Sequence, residues 1–238
     1  MKGKAKPRKQ PTPSLRKIKY KREKFLLNGV DRFSLLTGCL VERSVGKYPA
    51  DSYASFQKNS KLYLCGGEVE PDYYEPGHLL SDFFTLDYDG NSQELTSLSQ
   101  PRGSVSVSGL SSVLVALGGW SKKDLRICEK YSITSNKWRS LPSLRIARSA
   151  PGACLLPSFT AFCFCGQQQK ESVYTNSIEC SRMDIDNEWR VLPLDTRVAS
   201  SDLLTGVSFC GSIVVFGGGF NSSFINQLFS EEGELEKE

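Results

Sequence analysis

Short apolar runs that end at glycine recur along the chain. They occupy residues 61–65, 112–117, 159–165 and 212–216, and they lead into Gly66, Gly118, Gly166 and Gly217. Runs of this length, rich in Val, Leu and Phe and bounded by Gly, Pro, Asn, Asp and Ser, are typical of β-strands. The chain shows no long stretch with the 3.6-residue period of an amphipathic helix. The pattern therefore predicts an all-β protein.

The strands belong to an internal repeat of about fifty residues. Trp138 begins the sequence Trp-Arg-Ser-Leu-Pro and Trp189 begins Trp-Arg-Val-Leu-Pro, and each stands 28 residues before the next glycine marker. Leu95 is predicted to hold the tryptophan position in the first repeat. Arg145 follows Trp138 by seven residues, and Arg102 follows Leu95 by seven. A fixed period of this length predicts an array of similar units.

The order of these markers resembles the kelch repeat over roughly residues 50–228. In the clearest repeat the double glycine is Gly118-Gly119 and the strand with Glu-Lys-Tyr is Glu129–Tyr131. The tryptophan is Trp138, the Leu-Pro pair is Leu141-Pro142 and the arginine is Arg145. In the next repeat, Gly166-Gln167 stands where two glycines are expected. The resemblance implies a β-propeller of about four blades, as a closed ring or as a partial, open arc. An open arc would expose strand edges, and these would favour a homo-oligomer.

Each marker has a physical reason within a blade. Glycine permits a positive φ and lets two backbones approach closely. Tryptophan offers a large apolar surface that one blade can lay against the next. Leu-Pro ends a strand and directs the chain toward the following blade.

Charge divides the chain into three parts. Residues 1–24 hold eleven Lys or Arg and one acid, and their composition predicts a disordered basic tail. Residues 25–229 are predicted to form the blades, and residues 230–238, with five Glu and one Lys, a disordered acidic tail. The first twenty residues have no apolar segment of the secretory type and no apolar run is long enough to span a bilayer, so the sequence predicts a cytoplasmic protein. The basic tail leaves nuclear or cytoskeletal association open.

The residues that support catalysis or metal binding are sparse. The chain has one histidine, His78, and eight cysteines without a Cys-x-x-Cys pair, so the sequence predicts no metal, no cofactor and reduced thiols packed on strands. Cys163 and Cys165 are two residues apart, and a strand would place both on one face. Phosphate-loop and nucleophile-elbow motifs are missing, and we expect no enzyme, although an enzyme on the same propeller is the alternative.

A protein-interaction module is the expected function. In kelch propellers the loop after the double glycine and the turn between blades lie on one face, which commonly binds peptides. The resemblance therefore implies a scaffold or adaptor that binds a protein or peptide partner, one of acidic character, through arginines and aromatic residues. The predicted partner-binding residues are Arg148, Trp120, Arg145, Arg102, Tyr73 and Tyr74. Arg102 and Arg145, as repeat markers, have the alternative role of bracing blades through backbone carbonyls. Docking to the cytoskeleton or to nucleic acid through the basic tail is a further alternative, and the acidic body disfavours nucleic acid.

Overall fold

The structure is a computed structural model, in which every regular element of the described residues is a β-strand. The described residues are 32–33, 40–42, 53–69, 78–87, 91–121, 126–168, 173–192, 204–209, 212–217 and 227–229. The two predicted tails, 1–24 and 230–238, lie outside them. Within these ranges, no helix has the length and apolarity that a membrane crossing requires.

Twenty-one strands make up the described part of the chain. In chain order they are β1 (Arg32–Phe33), β2 (Leu40–Glu42), β3 (Ala54–Lys58), β4 (Lys61–Cys65), β5 (Glu68–Val69), β6 (His78–Leu79), β7 (Phe83–Leu86), β8 (Ser92–Glu94), β9 (Ser106–Leu110), β10 (Val113–Leu117), β11 (Cys128–Ser132), β12 (Lys137–Leu141), β13 (Gly152–Leu155), β14 (Thr160–Phe164), β15 (Gln167–Gln168), β16 (Val173–Tyr174), β17 (Ile178–Arg182), β18 (Arg190–Leu192), β19 (Leu204–Phe209), β20 (Ser212–Gly217) and β21 (Gln227–Phe229). The four runs predicted to end at glycine correspond to β4, β10, β14 and β20.

The strands form antiparallel sheets that repeat the same order. Blade 1 is β3-β4-β7-β8, blade 2 is β9-β10-β11-β12 and blade 3 is β13-β14-β17-β18, while β19-β20-β21 form the described part of blade 4. Three two-stranded ribbons, β1-β2, β5-β6 and β15-β16, accompany them. This arrangement confirms the predicted all-β fold of kelch-type blades.

The blades follow one another as an arc. Their first strands contact in chain order, β3 with β9, β9 with β13 and β13 with β19. The described residues show no comparable contact between β19 and β3, so they do not close a ring. The first strand of each blade therefore lies on the inner side, and the last strand lies at the outer edge.

The apolar core lies between the blades. Tyr63 and Phe83 of blade 1 share one cluster with Leu114 and Tyr131 of blade 2. The next cluster joins Leu117 and Cys128 of blade 2 to Ala161, Met183 and Trp189 of blade 3, and a third joins Phe162 and Phe164 of blade 3 to Ile213 and Val215 of blade 4. Strands alternate their side chains between two faces, so each blade is apolar toward both neighbours.

Trp138 and Trp189 each pack against the preceding blade, in agreement with the prediction that these tryptophans join neighbouring blades. Trp138 packs on Phe83 and Tyr131, with ring centroids 5.2 and 5.0 Å away, and its indole N–H donates to Thr96 O at 2.7 Å. Trp189 is buried in the cluster between blades 2 and 3, and its indole N–H donates to Pro142 O at 2.8 Å. The indole N–H of each ring therefore has a hydrogen-bond acceptor, while the apolar part of the ring packs at the interface between two blades.

The antiparallel pairing gives each blade two distinct ends. The described ends of the links between second and third strands, such as residues 118–121 and 126–127, and the links between blades, such as 142–151, lie at one end, called here the loop end. The short turns at 111–112 and 133–136 lie at the other, called here the turn end. A site at one end is therefore a strand length away from a site at the other.

Candidate functional site

Arg102 lies at the loop end, in the link between blades 1 and 2, and is fully buried. Its Nη1 donates to Gly118 O at 2.7 Å and to Ile127 O at 2.9 Å. Its Nη2 forms an ion pair with the buried carboxylate of Glu129 at 2.6 Å. The guanidinium thus ties together the end of β10 and the start of β11, and Arg102 Nε is a buried donor with no hydrogen-bond partner.

Arg148 repeats this arrangement in the link between blades 2 and 3. It is fully buried, and its Nη1 donates to Cys165 O at 2.8 Å and to Ser177 O at 2.9 Å. Its Nη2 donates to Glu179 Oε1 at 2.7 Å and to Ser177 Oγ at 2.9 Å. The same fork of donors therefore braces β14 and β17, and Arg148 Nε, unlike Arg102 Nε, also has an acceptor, Ile146 O at 3.4 Å.

Each buried arginine also connects two neighbouring blades. Its own carbonyl accepts a hydrogen bond from the second glycine of the preceding blade, at 2.8 Å from Gly67 N to Arg102 O and at 3.0 Å from Gly119 N to Arg148 O. The backbone of each arginine is thus fixed to one blade and its guanidinium to the next. A side chain on the first glycine of the pair would also prevent this approach in blade 1, because a Cβ built on Gly66 would collide with Arg102 O.

The two glutamates complete the brace, and the sequence analysis gave them no site role. Glu129 Oε1 accepts from Ser99 N at 3.1 Å. Glu179 accepts from Arg145 N at 2.6 Å and from Ile146 N at 3.1 Å. A buried carboxylate needs several donors, and the link between blades supplies them. The available signal was an acidic residue at one position of the third strand in two successive repeats.

Strand register corrects the predicted alignment of the basic markers. Leu95 N donates a hydrogen bond to Phe83 O just after β8, so Leu95 occupies the position in blade 1 that Leu141 occupies in blade 2. Ser92 lies opposite Leu86 and therefore occupies the tryptophan position. The shift moves Arg102 into register with Arg148, whereas Arg145 falls at the position of Ser99. Counting residues from the tryptophan position failed because blade 1 has lost the aromatic residue.

The double-glycine position of blade 3 also differs from the prediction. The double-glycine residues have positive φ angles in blade 1 (Gly66 and Gly67) and in blade 2 (Gly118 and Gly119). In blade 3 the two residues with positive φ are Cys165 (52°) and Gly166 (95°). The pair is therefore Cys165-Gly166, with Gln167 already in β15. Because the backbone turns at Cys165, this residue packs toward blade 4 while Cys163 packs toward blade 2, contrary to the expected shared face.

Arg145 has a half-exposed side chain on the outer edge of blade 3. Its Nε donates to Trp189 O at 2.6 Å, and its Nη2 pairs with Glu188 at 2.6 Å, where the two side chains are 52% and 70% exposed. This geometry matches the bracing alternative of the sequence analysis for Arg145, as the contacts above do for Arg102. The geometry does not favour direct partner contact for Arg102 and Arg148, since their guanidinium groups have no exposed surface.

Trp120 lies at the loop end and is half-buried. Its N–H donates to Gly103 O at 2.6 Å, and its carbonyl accepts from Gly103 N at 3.0 Å, so its backbone is fixed to the link between blades 1 and 2. Gln167 occupies the same position in blade 3, bridged to Ser149. The predicted binding residues Tyr73 and Tyr74 lie outside the described residues.

The cysteines of the described residues are all buried and joined by no disulfide. Burial raises the pKa of the Cys65, Cys154 and Cys163 thiols to about 12 each, and it also raises the pKa of Cys128 and Cys180. Such thiols remain protonated near neutral pH and are poor nucleophiles. Within the described ranges, no group of three His, Cys, Asp or Glu residues is placed to hold a metal ion.

Comparison with known proteins bears on the blades directly. The family model described as Kelch motif matches residues 101–145. The match begins beside Arg102, includes all of blade 2 and ends at Arg145. No curated protein matches the chain. The motif is matched over one complete blade and its markers recur in the next, so the chain contains kelch repeats of the type that form propeller blades.

Proposed function

We propose that this protein is an interaction module that binds a protein or peptide partner at the loop end of its blades. The observation that carries the proposal is the geometry of Trp120. Its backbone is fixed by two hydrogen bonds while its side chain remains partly exposed. A pre-ordered aromatic side chain loses little conformational entropy on binding, and Trp is the residue type most enriched among energetically dominant interface contacts.

The buried arginines support this function indirectly. Each brace fixes the start of the link between blades and the carbonyls that flank the loop between the second and third strands. The loop end is thereby a rigid frame for variable loops, and rigid frames that carry variable loops are the usual design of binding surfaces. A scaffold or adaptor role follows from such a surface.

The test compares partner sets captured in cells by full-length protein and by variants. Trp120→Ala should abolish capture of the partners that bind the loop end, whereas Lys61→Gln, an exposed change in β4 of blade 1, should retain them. Both variants should keep the wild-type thermal midpoint, because neither residue belongs to an apolar cluster between blades. A Trp120→Ala protein that retains every wild-type partner would contradict the proposal.

A further inference from the structure

A basic cavity opens at the turn end between blades 2 and 3. Its volume is about 360 Å³, within the range of small binding sites. Blade 2 contributes Lys130, Lys137 and Arg139, and blade 3 contributes Phe159, Met183 and Asp184 from two turns. This cavity is a strand length away from the loop end that carries Trp120.

The three cations converge on one face of blade 2. Lys130 lies directly opposite Arg139 in the β11–β12 pair, and Lys137 lies opposite Ser132, one pair further along the same face. Like charges directly opposite each other destabilise a sheet. Within the described residues, none of the three forms an ion pair or a side-chain hydrogen bond. The one acid among the described lining residues, Asp184, already pairs with Arg182 at 3.3 Å.

The charge cluster is a property of this blade and not of the repeat. In blade 1 the same two positions hold Thr85 and Gln93, which pair with each other in β7 and β8. In blade 3 they hold Cys180 and Arg190. A repulsive pair that the fold does not require in its other blades indicates a role other than blade formation.

An apolar wall faces the cations. Phe159 is 39% exposed and has a φ of 60°, a conformation that is unfavourable for a bulky residue. The turn is held by hydrogen bonds from Phe159 N to Leu156 O at 2.9 Å and from Met183 N to Phe159 O at 3.1 Å. The backbone that carries the ring is therefore fixed at the rim of the cavity, which Met183 also lines.

We propose that this cavity binds a short acidic peptide segment of a partner protein that carries an apolar side chain between acidic residues. The carboxylates lie against Lys130, Lys137 and Arg139, and the apolar side chain lies against Phe159 and Met183. Charge complementarity selects the acidic residues, and the fixed aromatic wall selects a peptide over a simple inorganic anion. This site is additional to the loop-end surface and does not depend on it.

The test measures binding of a fluorescein-labelled Glu-Glu-Leu-Glu-Glu peptide to the full-length protein by fluorescence anisotropy. The Gln-Gln-Leu-Gln-Gln peptide, Glu-Glu-Gly-Glu-Glu and inorganic phosphate serve as comparisons. We expect binding of the acidic leucine peptide, weakening with added salt, and weaker binding of all three comparisons. Lys130→Gln with Arg139→Gln should weaken binding about tenfold or more, because two charge-assisted contacts are lost.

Stability separates a binding role from a structural one. The Lys130→Gln and Arg139→Gln variant should keep or raise the thermal midpoint, since it removes a repulsive pair. Lys61→Gln, a matched loss of an exposed lysine in blade 1, and Trp120→Ala should leave peptide binding unchanged. Equal affinity for the acidic and the glutamine peptides, or unchanged affinity in the double variant, would overturn the proposal.

Discussion

Replacing Arg148 by methionine tests whether the buried arginines hold the blades together. Methionine keeps most of the apolar stem and removes the guanidinium. The substitution strips the donors from Cys165 O and Ser177 O and leaves the fully buried Glu179 carboxylate without its cation. Breaking a buried ion pair from one side costs about 3–5 kcal/mol of unfolding free energy. A domain of ordinary stability has about 5–15 kcal/mol in total, so we expect Arg148→Met to lose a large part of it.

The measurement is equilibrium unfolding in urea, followed by tryptophan fluorescence and circular dichroism. Arg145→Met is the matched control, because it removes an arginine three residues away whose ion pair is exposed and is expected to contribute about 0–1 kcal/mol. If the protein unfolds blade by blade, the two probes will separate, and Arg148→Met should lower the transition that reports Trp189.

The result would refute the bracing role if Arg148→Met and Arg145→Met lowered the unfolding free energy equally, or if both changes fell below about 1 kcal/mol. Glu179→Gln provides an independent arm. The two backbone N–H groups of the link bind different oxygens of the carboxylate, so the single amide oxygen can replace only one of these acceptors, and the buried guanidinium loses its counter-charge. We therefore expect Glu179→Gln to destabilise the protein as well.

Three further predictions concern the blade interfaces. Gly66→Ala should lower the unfolding free energy by more than about 1 kcal/mol, because φ is 65° and the new Cβ meets the carbonyl oxygen of Arg102. Gly103→Ala should cost less in urea unfolding, because its Cβ meets two side chains and the carbonyl carbon of Gly67, all at 3.3 Å or more. Trp189→Ala should lower the unfolding free energy by about 3–5 kcal/mol, and by more than Trp138→Ala does, because Trp189 is the more buried ring. Equal losses for the two variants in urea unfolding would contradict this order. Burial raises the pKa of Cys163 from 9.0 to about 12, so the contribution of this thiol to stability should be full below pH 9 and fall between pH 9 and 12, where the unfolded thiol ionises first. Cys163→Ala should make the fall of the urea midpoint over that range less steep, and an unchanged slope would contradict this assignment.

The sequence by itself determined the class of fold, the second strand of each blade and the outer strands of two blades. Alternating apolar runs that stop at glycine predicted β4, β10, β14 and β20, and the repeated Trp-Arg-x-Leu-Pro located the outer strands of blades 2 and 3. These features are local, because periodicity and turn chemistry operate over a few residues. The packing of tryptophan between neighbouring blades also followed, since a large apolar ring at the same place in two successive repeats needs a neighbouring unit to bury it.

Only the tertiary structure decided which basic residues are equivalent and what they do. Spacing along the chain aligned Arg102 with Arg145, but hydrogen-bond register aligned it with Arg148, because blade 1 carries Ser92 where the later blades carry tryptophan. Burial then distinguished Arg102 and Arg148 from the half-exposed Arg145. The packing of blades 2 and 3 placed Lys130, Lys137 and Arg139 in one cavity with turns of the next blade. Contacts between blades join residues tens of positions apart, and no local pattern in the sequence encodes which donor faces which acceptor across such an interface.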